Sequence, residues 1–190
     1  DYGSFSDDLE HTRTGDYHVW SIAYSSADHR SINLEQSLPA LERKFGEIGD
    51  IPLSGDFDGD GKQDLAVYNA HHFVWRVAFS STNFDIAKAL APSENGQVTE
   101  GGFHLGWGAP GLIPLTGDFD GNGVTDIALW GKQNITGLKG AEPSTALAEF
   151  SVFYLPKDHG KIRPGKQFPL GAISSIPLTG DIDCDGKADF

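Results

Sequence analysis

The chain has one cysteine, no methionine and few basic residues, and these scarcities exclude several classes of protein. Cys184 has no second cysteine to pair with, so a framework of intramolecular disulfides is excluded. With 14 basic against 27 acidic residues, the chain lacks the basic face that nucleic acids require, and we expect no nucleic-acid partner. No apolar run approaches the roughly 18 residues that a membrane helix needs, so we expect no membrane span.

Turn-forming residues are abundant instead. The 24 glycines and 10 prolines among 190 residues indicate many tight turns and therefore short strands. Only residues 34–45 show a helical pattern, and Pro39 interrupts it. The composition thus favours an all-β fold. Because methionine is absent, Asp1 is not a translation start, and we expect a processed chain or an excised piece.

A nine-residue acidic motif occurs three times in the chain. Residues 56–64 read DFDGDGKQD, residues 118–126 read DFDGNGVTD and residues 181–189 read DIDCDGKAD. The copies begin 62 and 63 residues apart, and each follows Ile-Pro-Leu, a serine or threonine, and glycine. This period predicts a tandem array with one site per unit, the units being about 1–63, 64–125 and 126–190, each ending in its acidic loop.

Short apolar segments accompany the motif in each unit. Residues 65–68 and 127–130 follow the first two loops and indicate strands that are buried on both faces. Large apolar residues then alternate in 75–79 and 150–154, with an earlier copy at 20–24. Four short strands in each unit predict β-propeller blades: four-stranded antiparallel sheets in three tandem units, forming an incomplete ring within one chain.

The alternating oxygen-bearing side chains of the motif predict a loop that wraps a hard cation. Side chains at positions one, three and five converge, position seven offers its backbone carbonyl, and the aspartate at position nine closes the shell. Coordination by oxygen alone favours Ca²⁺, about three ions per chain. The predicted ligands are Asp56, Asp58, Asp60, Lys62 and Asp64 in loop one, Asp118, Asp120, Asn122, Val124 and Asp126 in loop two, and Asp181, Asp183, Asp185, Lys187 and Asp189 in loop three.

The motif does not have the pattern of an EF-hand. An EF-hand needs glutamate at position twelve, where this chain has Val67 and Leu129 inside predicted strands. The loop is instead predicted to join the two strands of a hairpin, which favours a structural role over a sensor. Simple acidic turns are the alternative, but three copies with all five ligand positions filled argue against it. Loop two, with Asn122 in place of a carboxylate, is predicted to be the weakest site.

The sequence IPLTGDFDGNG at residues 113–123, followed by DIALW at residues 126–130, resembles the FG-GAP or VCBS-type repeat, the calcium-binding blade of integrin-alpha-type propellers and of many bacterial surface proteins. Residues 45–46 and 106–110 match the name-giving segments loosely. The resemblance implies a propeller of about seven blades that serves adhesion or ligand binding. This chain departs from the family in having three units.

The expected function is that of an extracellular, calcium-stabilised, non-catalytic module that binds a glycan or an extracellular protein. Weak calcium loops fill at about millimolar calcium, which favours a secreted or cell-surface location. Trp107 is the candidate for an exposed ligand contact. A propeller-type polysaccharide lyase or hydrolase fragment is one alternative, and its acid–base pair would come from Glu94, Glu100, Glu142 and Glu149.

Completion of the ring leaves three possibilities open. Three blades cannot close a ring, because propellers have roughly four to eight. The chain is a fragment with further blades elsewhere, or one half of a six-bladed ring of two copies, or a structural subunit whose strand exchange builds a head-to-tail filament. In each case we expect partners that are further blades or other copies, since the third loop lacks its second strand.

Overall fold

The computed structural model describes residues 2–6, 17–23, 41–91, 94–132, 147–172 and 174–190, with the backbone alone before Phe45 and at Leu147. In these residues, eleven strands form three antiparallel sheets, and two of the sheets have four strands. The predicted all-β blades are therefore confirmed, and the described sheets do not form a closed ring. No helix in the described ranges is long and apolar enough to cross a membrane.

The first sheet contains β1 (Tyr2–Ser6), β2 (Tyr17–Ala23) and β3 (Leu41–Glu47), in the order β1-β2-β3. β3 includes residues 41–45 of the segment with the interrupted helical pattern, which agrees with the predicted all-β fold. Backbone pairing with β2 overrides the local pattern there. Residues 34–40 lie outside the described residues.

The second sheet contains β4 (Ile51–Gly55), β5 (Asp64–Asn69), β6 (Val74–Ala78) and β7 (Gly102–Gly106), in chain order. β5 is buried at all six positions, as its continuous apolar sequence predicts. A 3-10 turn (Ser80–Thr82) and a one-turn helix α1 (Ile86–Ala89) lie between β6 and β7. A single turn is too short to show helical periodicity in the sequence.

The third sheet contains β8 (Ile113–Gly117), β9 (Asp126–Gly131), β10 (Leu147–Tyr154) and β11 (Arg163–Ala172), again in chain order. The first two acidic loops connect β4 to β5 and β8 to β9, which confirms the predicted hairpins. Each loop thus lies between the first two strands of its sheet. The predicted unit boundaries, which follow each loop, fall between the first and second strands of these two sheets, and the units stay a prediction.

The second and third sheets share a hydrophobic core. Trp75 and Phe103 of the second sheet and Ile127 and Leu129 of the third belong to one buried cluster. Phe57 of the first acidic loop joins this cluster and is fully buried. Burial of such a side chain contributes about 2–3 kcal/mol. The acidic loop is therefore tied to the core and is not a free surface turn.

Residues 174–190 carry the third acidic loop without a four-stranded sheet. A single antiparallel bridge joins Gly180 to Asp189. Ile176 and Leu178 precede the loop and are 86% and 77% exposed. Their counterparts in β4 pair with β5 along the whole strand.

Candidate metal centre

Each acidic loop brings three carboxylates together. One carboxylate oxygen from each of positions one, three and nine lies within 4.8 Å of the other two. Two oxygens that bind one Ca²⁺ at 2.3–2.6 Å are at most about 5 Å apart, so each group has the spacing of a single ion site. The groups are Asp56, Asp58 and Asp64; Asp118, Asp120 and Asp126; and Asp181, Asp183 and Asp189.

The aspartate at position one organises its own loop through main-chain hydrogen bonds. Asp56 Oδ1 accepts from the N–H groups of Gly59 (2.7 Å) and Asp60 (3.1 Å), and Oδ2 accepts from Gly61 N–H (2.8 Å). Gly59 and Gly61 have φ of 78° and 83°, a conformation that favours glycine. Asp118 accepts the same three bonds in loop two. The shared sequence therefore produces a shared backbone geometry.

The aspartate at position nine is the buried member in the first two loops. Asp64 is fully buried, and its two oxygens accept from Phe57 N–H and Ser80 N–H, both at 2.7 Å. Burial raises the pKa of Asp64 to about 7, although the two N–H groups act to lower it. Burial likewise raises the pKa of Asp126 to about 7, against hydrogen bonds from Leu155 and Phe119 N–H. A divalent cation at this position would favour the ionised carboxylates.

Position five lies outside the three carboxylate groups. The side-chain oxygen of Asp60, Asn122 and Asp185 accepts from the N–H of position seven, at 2.8, 2.7 and 2.8 Å respectively. The Asn122 amide also donates to Leu155 O at 2.9 Å. At position seven, Lys62 Nζ lies 3.0 Å from Asp60 Oδ2 and Val124 is fully buried. Coordination by positions five and seven stays a prediction.

The groups that hold the closing aspartates could not be recognised from the amino-acid sequence. Ser80 and Leu155 act through main-chain N–H groups, and they follow β6 and β10 in the chain. Any residue but proline supplies such a donor, so no residue type marks these positions. Their place just beyond the strand end is the one feature that could have indicated them.

Successive loops are hydrogen-bonded to each other through the same positions. The N–H at position eight donates to the carbonyl at position one of the preceding loop: Thr125 to Asp56 and Ala188 to Asp118, both at 2.6 Å. Before the loops, Thr116 Oγ1 donates to Ser54 O (3.2 Å), and Thr179 Oγ1 donates to Thr116 O (2.8 Å). The three loops therefore form a continuous column.

Glycines allow the column to pack closely. A Cβ added at Gly55 would lie 2.4 Å from Thr125 Cγ2, and one at Gly117 would lie 2.6 Å from Ala188 Cβ. Each of these glycines directly precedes its loop and receives the position-eight side chain of the next loop. The glycine in the repeated Ile-Pro-Leu-Ser/Thr-Gly sequence is thus required by contact between units.

A cleft of about 500 Å³ lies between the second and third sheets. Trp107 and Phe153 line it, with Asn95 and Lys161 among the polar residues. The Trp107 ring lies 4.4 Å from the Phe153 ring and is stacked at 6.4 Å from that of Trp75. Trp107 is half-buried, and it both packs against the core and lines the cleft.

Comparison with known families identifies the second sheet. Residues 49–78, which span β4, the first acidic loop, β5 and β6, match the family model for the FG-GAP repeat. No curated protein and no solved structure matches the chain at a significant level. Residues 49–78 thus form an FG-GAP-type repeat, a match that suggests a β-propeller-type module.

Proposed function

We propose that the chain is a calcium-stabilised β-propeller module that acts outside the cell by binding a glycan or protein ligand, without catalysis. The observation that carries the proposal is the threefold recurrence of one carboxylate geometry, the first copy of which lies within the FG-GAP repeat at residues 49–78. FG-GAP repeats are often calcium-binding and typically extracellular, which supports both the ion and the location.

The donor set fits Ca²⁺ better than other common ions. All three side chains of each group offer carboxylate oxygens, which hard cations prefer over the nitrogen and sulfur ligands of zinc or copper sites. Mg²⁺ requires near-octahedral geometry and keeps most of its water, whereas a nine-residue loop with several oxygens suits the larger shell of Ca²⁺. About three ions per chain follow from three loops.

The ion would act as a brace between strands. Asp56 belongs to the loop after β4, Asp64 begins β5, and Ser80 N–H beyond β6 holds Asp64 from the other side. Neutralising the three converging carboxylates would remove their mutual repulsion and fix the hairpin. Because Phe57 lies in the same loop and in the core, order in the loop stabilises the packing between the sheets.

The cleft at Trp107 supports a role in ligand binding. The cleft is lined by the half-buried Trp107 and Phe153 together with Asn95 and Lys161, and so combines the apolar surface and polar groups that ligand sites require. A sugar ring or an extended peptide matches such a site. Replacement of Trp107 by alanine should remove binding on glycan arrays or in pull-downs with extracellular proteins, and binding that survives the change would place the site elsewhere.

Calcium titration tests the central proposal. Isothermal titration of metal-stripped protein should show about three sites for Ca²⁺ and weaker binding of Mg²⁺. Asp56→Ala should remove one site, while Asp158→Ala, an exposed acidic residue outside the loops, should remove none. Absence of Ca²⁺ binding at millimolar concentration would refute the proposal.

A further inference from the structure

Two serine side chains adjoin the first acidic loop, and the second loop has no such neighbours. Ser80 and Ser81 belong to the 3-10 turn that follows β6. Ser80 is equivalent to Leu155 of the third sheet, because both donate a main-chain N–H to the closing aspartate of their loop. Ser81 is then equivalent to Pro156, and neither Leu155 nor Pro156 carries a hydroxyl. Of these two sites, only the first has hydroxyl groups in this segment.

The Ser80 hydroxyl is a buried group that lacks a hydrogen bond. Its oxygen is inaccessible to solvent and has no hydrogen-bond partner among the residues that the structure describes. The same residue donates its N–H to Asp64 Oδ1 at 2.7 Å. The hydroxyl also acts to lower the pKa of Asp64, which places it beside that carboxylate, although not in hydrogen-bond geometry. A buried hydroxyl without a partner is unfavourable, and a cation beside it would satisfy its oxygen.

The Ser81 hydroxyl contacts a second carboxylate of the same loop. Ser81 Oγ donates to Asp58 Oδ2 at 2.5 Å, and Asp58 Oδ1 accepts from Asp60 N–H at 3.1 Å. Both oxygens of Asp58 are therefore held. The equivalent Asp120 of loop two accepts from Asn122 N–H, and no hydroxyl donates to it within the described part of the chain. Ser81 thus restricts the orientation of a carboxylate that is held by one oxygen in loop two.

Packing fixes the turn that carries both serines. Phe84 follows the turn, and it lies in the buried cluster that includes Leu65, the residue directly after Asp64. The Phe84 N–H donates to Phe79 O at 3.0 Å, which closes the segment around the two serines. The hydroxyls are therefore held in position before a cation binds, and binding requires little further ordering of this segment.

We propose that Ser80 Oγ is an additional ligand of the cation in the first loop and that Ser81 positions Asp58 for the same ion. The inference rests on the proposed calcium binding, and it assigns a ligand that the nine-residue motif does not contain. Ser80 would add a neutral oxygen to the three carboxylates, which enlarges the ligand shell without adding charge. The ion would then contact the segment after β6 directly.

An additional ligand would distinguish the first site from the second in both affinity and ion selectivity. Ca²⁺ accepts about six to eight oxygens in flexible geometry, whereas Mg²⁺ keeps several waters in a strict octahedron. A hydroxyl that the protein already holds in place favours the larger shell. Loop one should therefore bind Ca²⁺ more tightly than loop two and prefer it more strongly over Mg²⁺.

Calcium titration followed by NMR distinguishes the three loops in one sample. The position-six glycine of each loop donates its N–H to the position-one carboxylate: Gly61 to Asp56, Gly123 to Asp118 and Gly186 to Asp181. Ion binding to these carboxylates should shift each glycine amide in a proton–nitrogen correlation spectrum. Absence of any shift at millimolar Ca²⁺ would refute calcium binding and, with it, the inference.

Ser80→Ala is the decisive variant, because it removes the hydroxyl and keeps the main-chain N–H. It should raise the calcium concentration at the Gly61 midpoint at least about tenfold and leave the Gly123 midpoint unchanged. Thr82→Val is the matched control, since it removes a hydroxyl of the same turn that donates to Phe79 O instead of a carboxylate, and it should change neither midpoint.

Two results of this titration would overturn the inference. An unchanged Gly61 midpoint in Ser80→Ala, with all three loops still binding Ca²⁺, would do so and leave the proposed function intact. Equal shifts of the Gly61 and Gly123 midpoints would indicate a general loss of stability instead of a lost ligand.

Two further measurements separate the ligand from the positioning residue. In crystals grown with Ca²⁺, Ser80 Oγ should lie about 2.3–2.6 Å from the ion of the first loop, and a water in its place would overturn the assignment. Ser80→Ala should weaken Ca²⁺ binding more than Mg²⁺ binding, whereas Ser81→Ala should weaken both by a similar factor, because it acts through Asp58. Ser81→Thr, which retains the hydroxyl, should restore the wild-type midpoint, and failure to do so would contradict the positioning role.

Discussion

Calcium binding to the first two loops should release protons below neutral pH. Burial raises the pKa of Asp64 and of Asp126 to about 7, and both must ionise to bind a cation. At pH 6, a carboxyl with a pKa of about 7 is about nine-tenths protonated, so filling both loops releases close to two protons. At pH 8 it is about one-tenth protonated, and release almost vanishes.

The same shift sets the sign of the pH dependence of stability. The usual carboxyl pKa is 3.8, so between about pH 4 and pH 7 the folded chain binds more protons at these two aspartates than the unfolded chain. Without calcium, the free energy of unfolding should therefore decrease as the pH rises through that window and level off above it. The stabilisation by calcium should be larger at pH 8 than at pH 5.5, and apparent affinity should fall about tenfold per pH unit below 7 at each of the two loops.

Titration calorimetry in two buffers of different ionisation enthalpy measures the proton count. The dependence of the observed enthalpy on buffer gives about two protons at pH 6 and close to none at pH 8. Asp126→Asn should halve the release, because loop one retains Asp64. Calcium binding at pH 6 with the same enthalpy in both buffers would refute the reasoning, since the closing aspartates would then be ionised before the metal arrives.

Three further predictions concern stability. Chelation should lower the melting temperature by about 10 °C or more. Calcium at a hundredfold excess over Kd contributes about 2.7 kcal/mol per site, and the two four-stranded sheets each carry one site. An unchanged calorimetric transition would exclude a structural role for the ion. Gly55→Val should lower the free energy of urea unfolding by about 1–3 kcal/mol, because its side chain would overlap Thr125. Gly180→Val should change this free energy by less than about 0.5 kcal/mol, because a Cβ at Gly180 meets nothing within 4 Å. Equal costs would contradict the contact between loops. Asp50→Ala should lower the free energy of unfolding by about 3–5 kcal/mol, because the buried carboxylate accepts hydrogen bonds from Glu47 N–H and the Asn69 amide and faces Arg76. Glu47→Ala, at a half-exposed partner of the same arginine, should lower it by less than about 1 kcal/mol. Similar values for the two variants would contradict this assignment.

The parts of the fold that are encoded locally could be predicted from sequence. Four consecutive apolar residues at 65–68 and at 127–130 indicated the fully buried β5 and β9, because a strand covered on both faces has no polar side. The alternating aspartates indicated the convergent carboxylates, because spacing within a nine-residue loop fixes the geometry. Position-twelve valine and leucine correctly excluded an EF-hand in favour of a hairpin.

Contacts between distant parts of the chain could not be predicted in this way. The anchors of Asp64 and Asp126 are main-chain N–H groups, which every residue but proline has. The bonds between loops join residues 69 or 70 positions apart through backbone atoms, so no side-chain pattern records them. Residues 41–45 have a weak helical pattern and nevertheless form part of β3, because pairing with β2 decides the conformation there.

The position-one aspartate contacts two loops, its own and the next one, through different atoms. Its side chain organises its own loop, and its main-chain carbonyl accepts a hydrogen bond from the next loop. Each unit therefore contains both the acceptor, at position one, and the donor, at position eight, of the contact between units. A duplicated unit therefore arrives with a ready interface on either side. Arrays of this kind can gain or lose whole blades by gene duplication or deletion without inventing a new contact, and the energetic effect of each change stays confined to nearest neighbours.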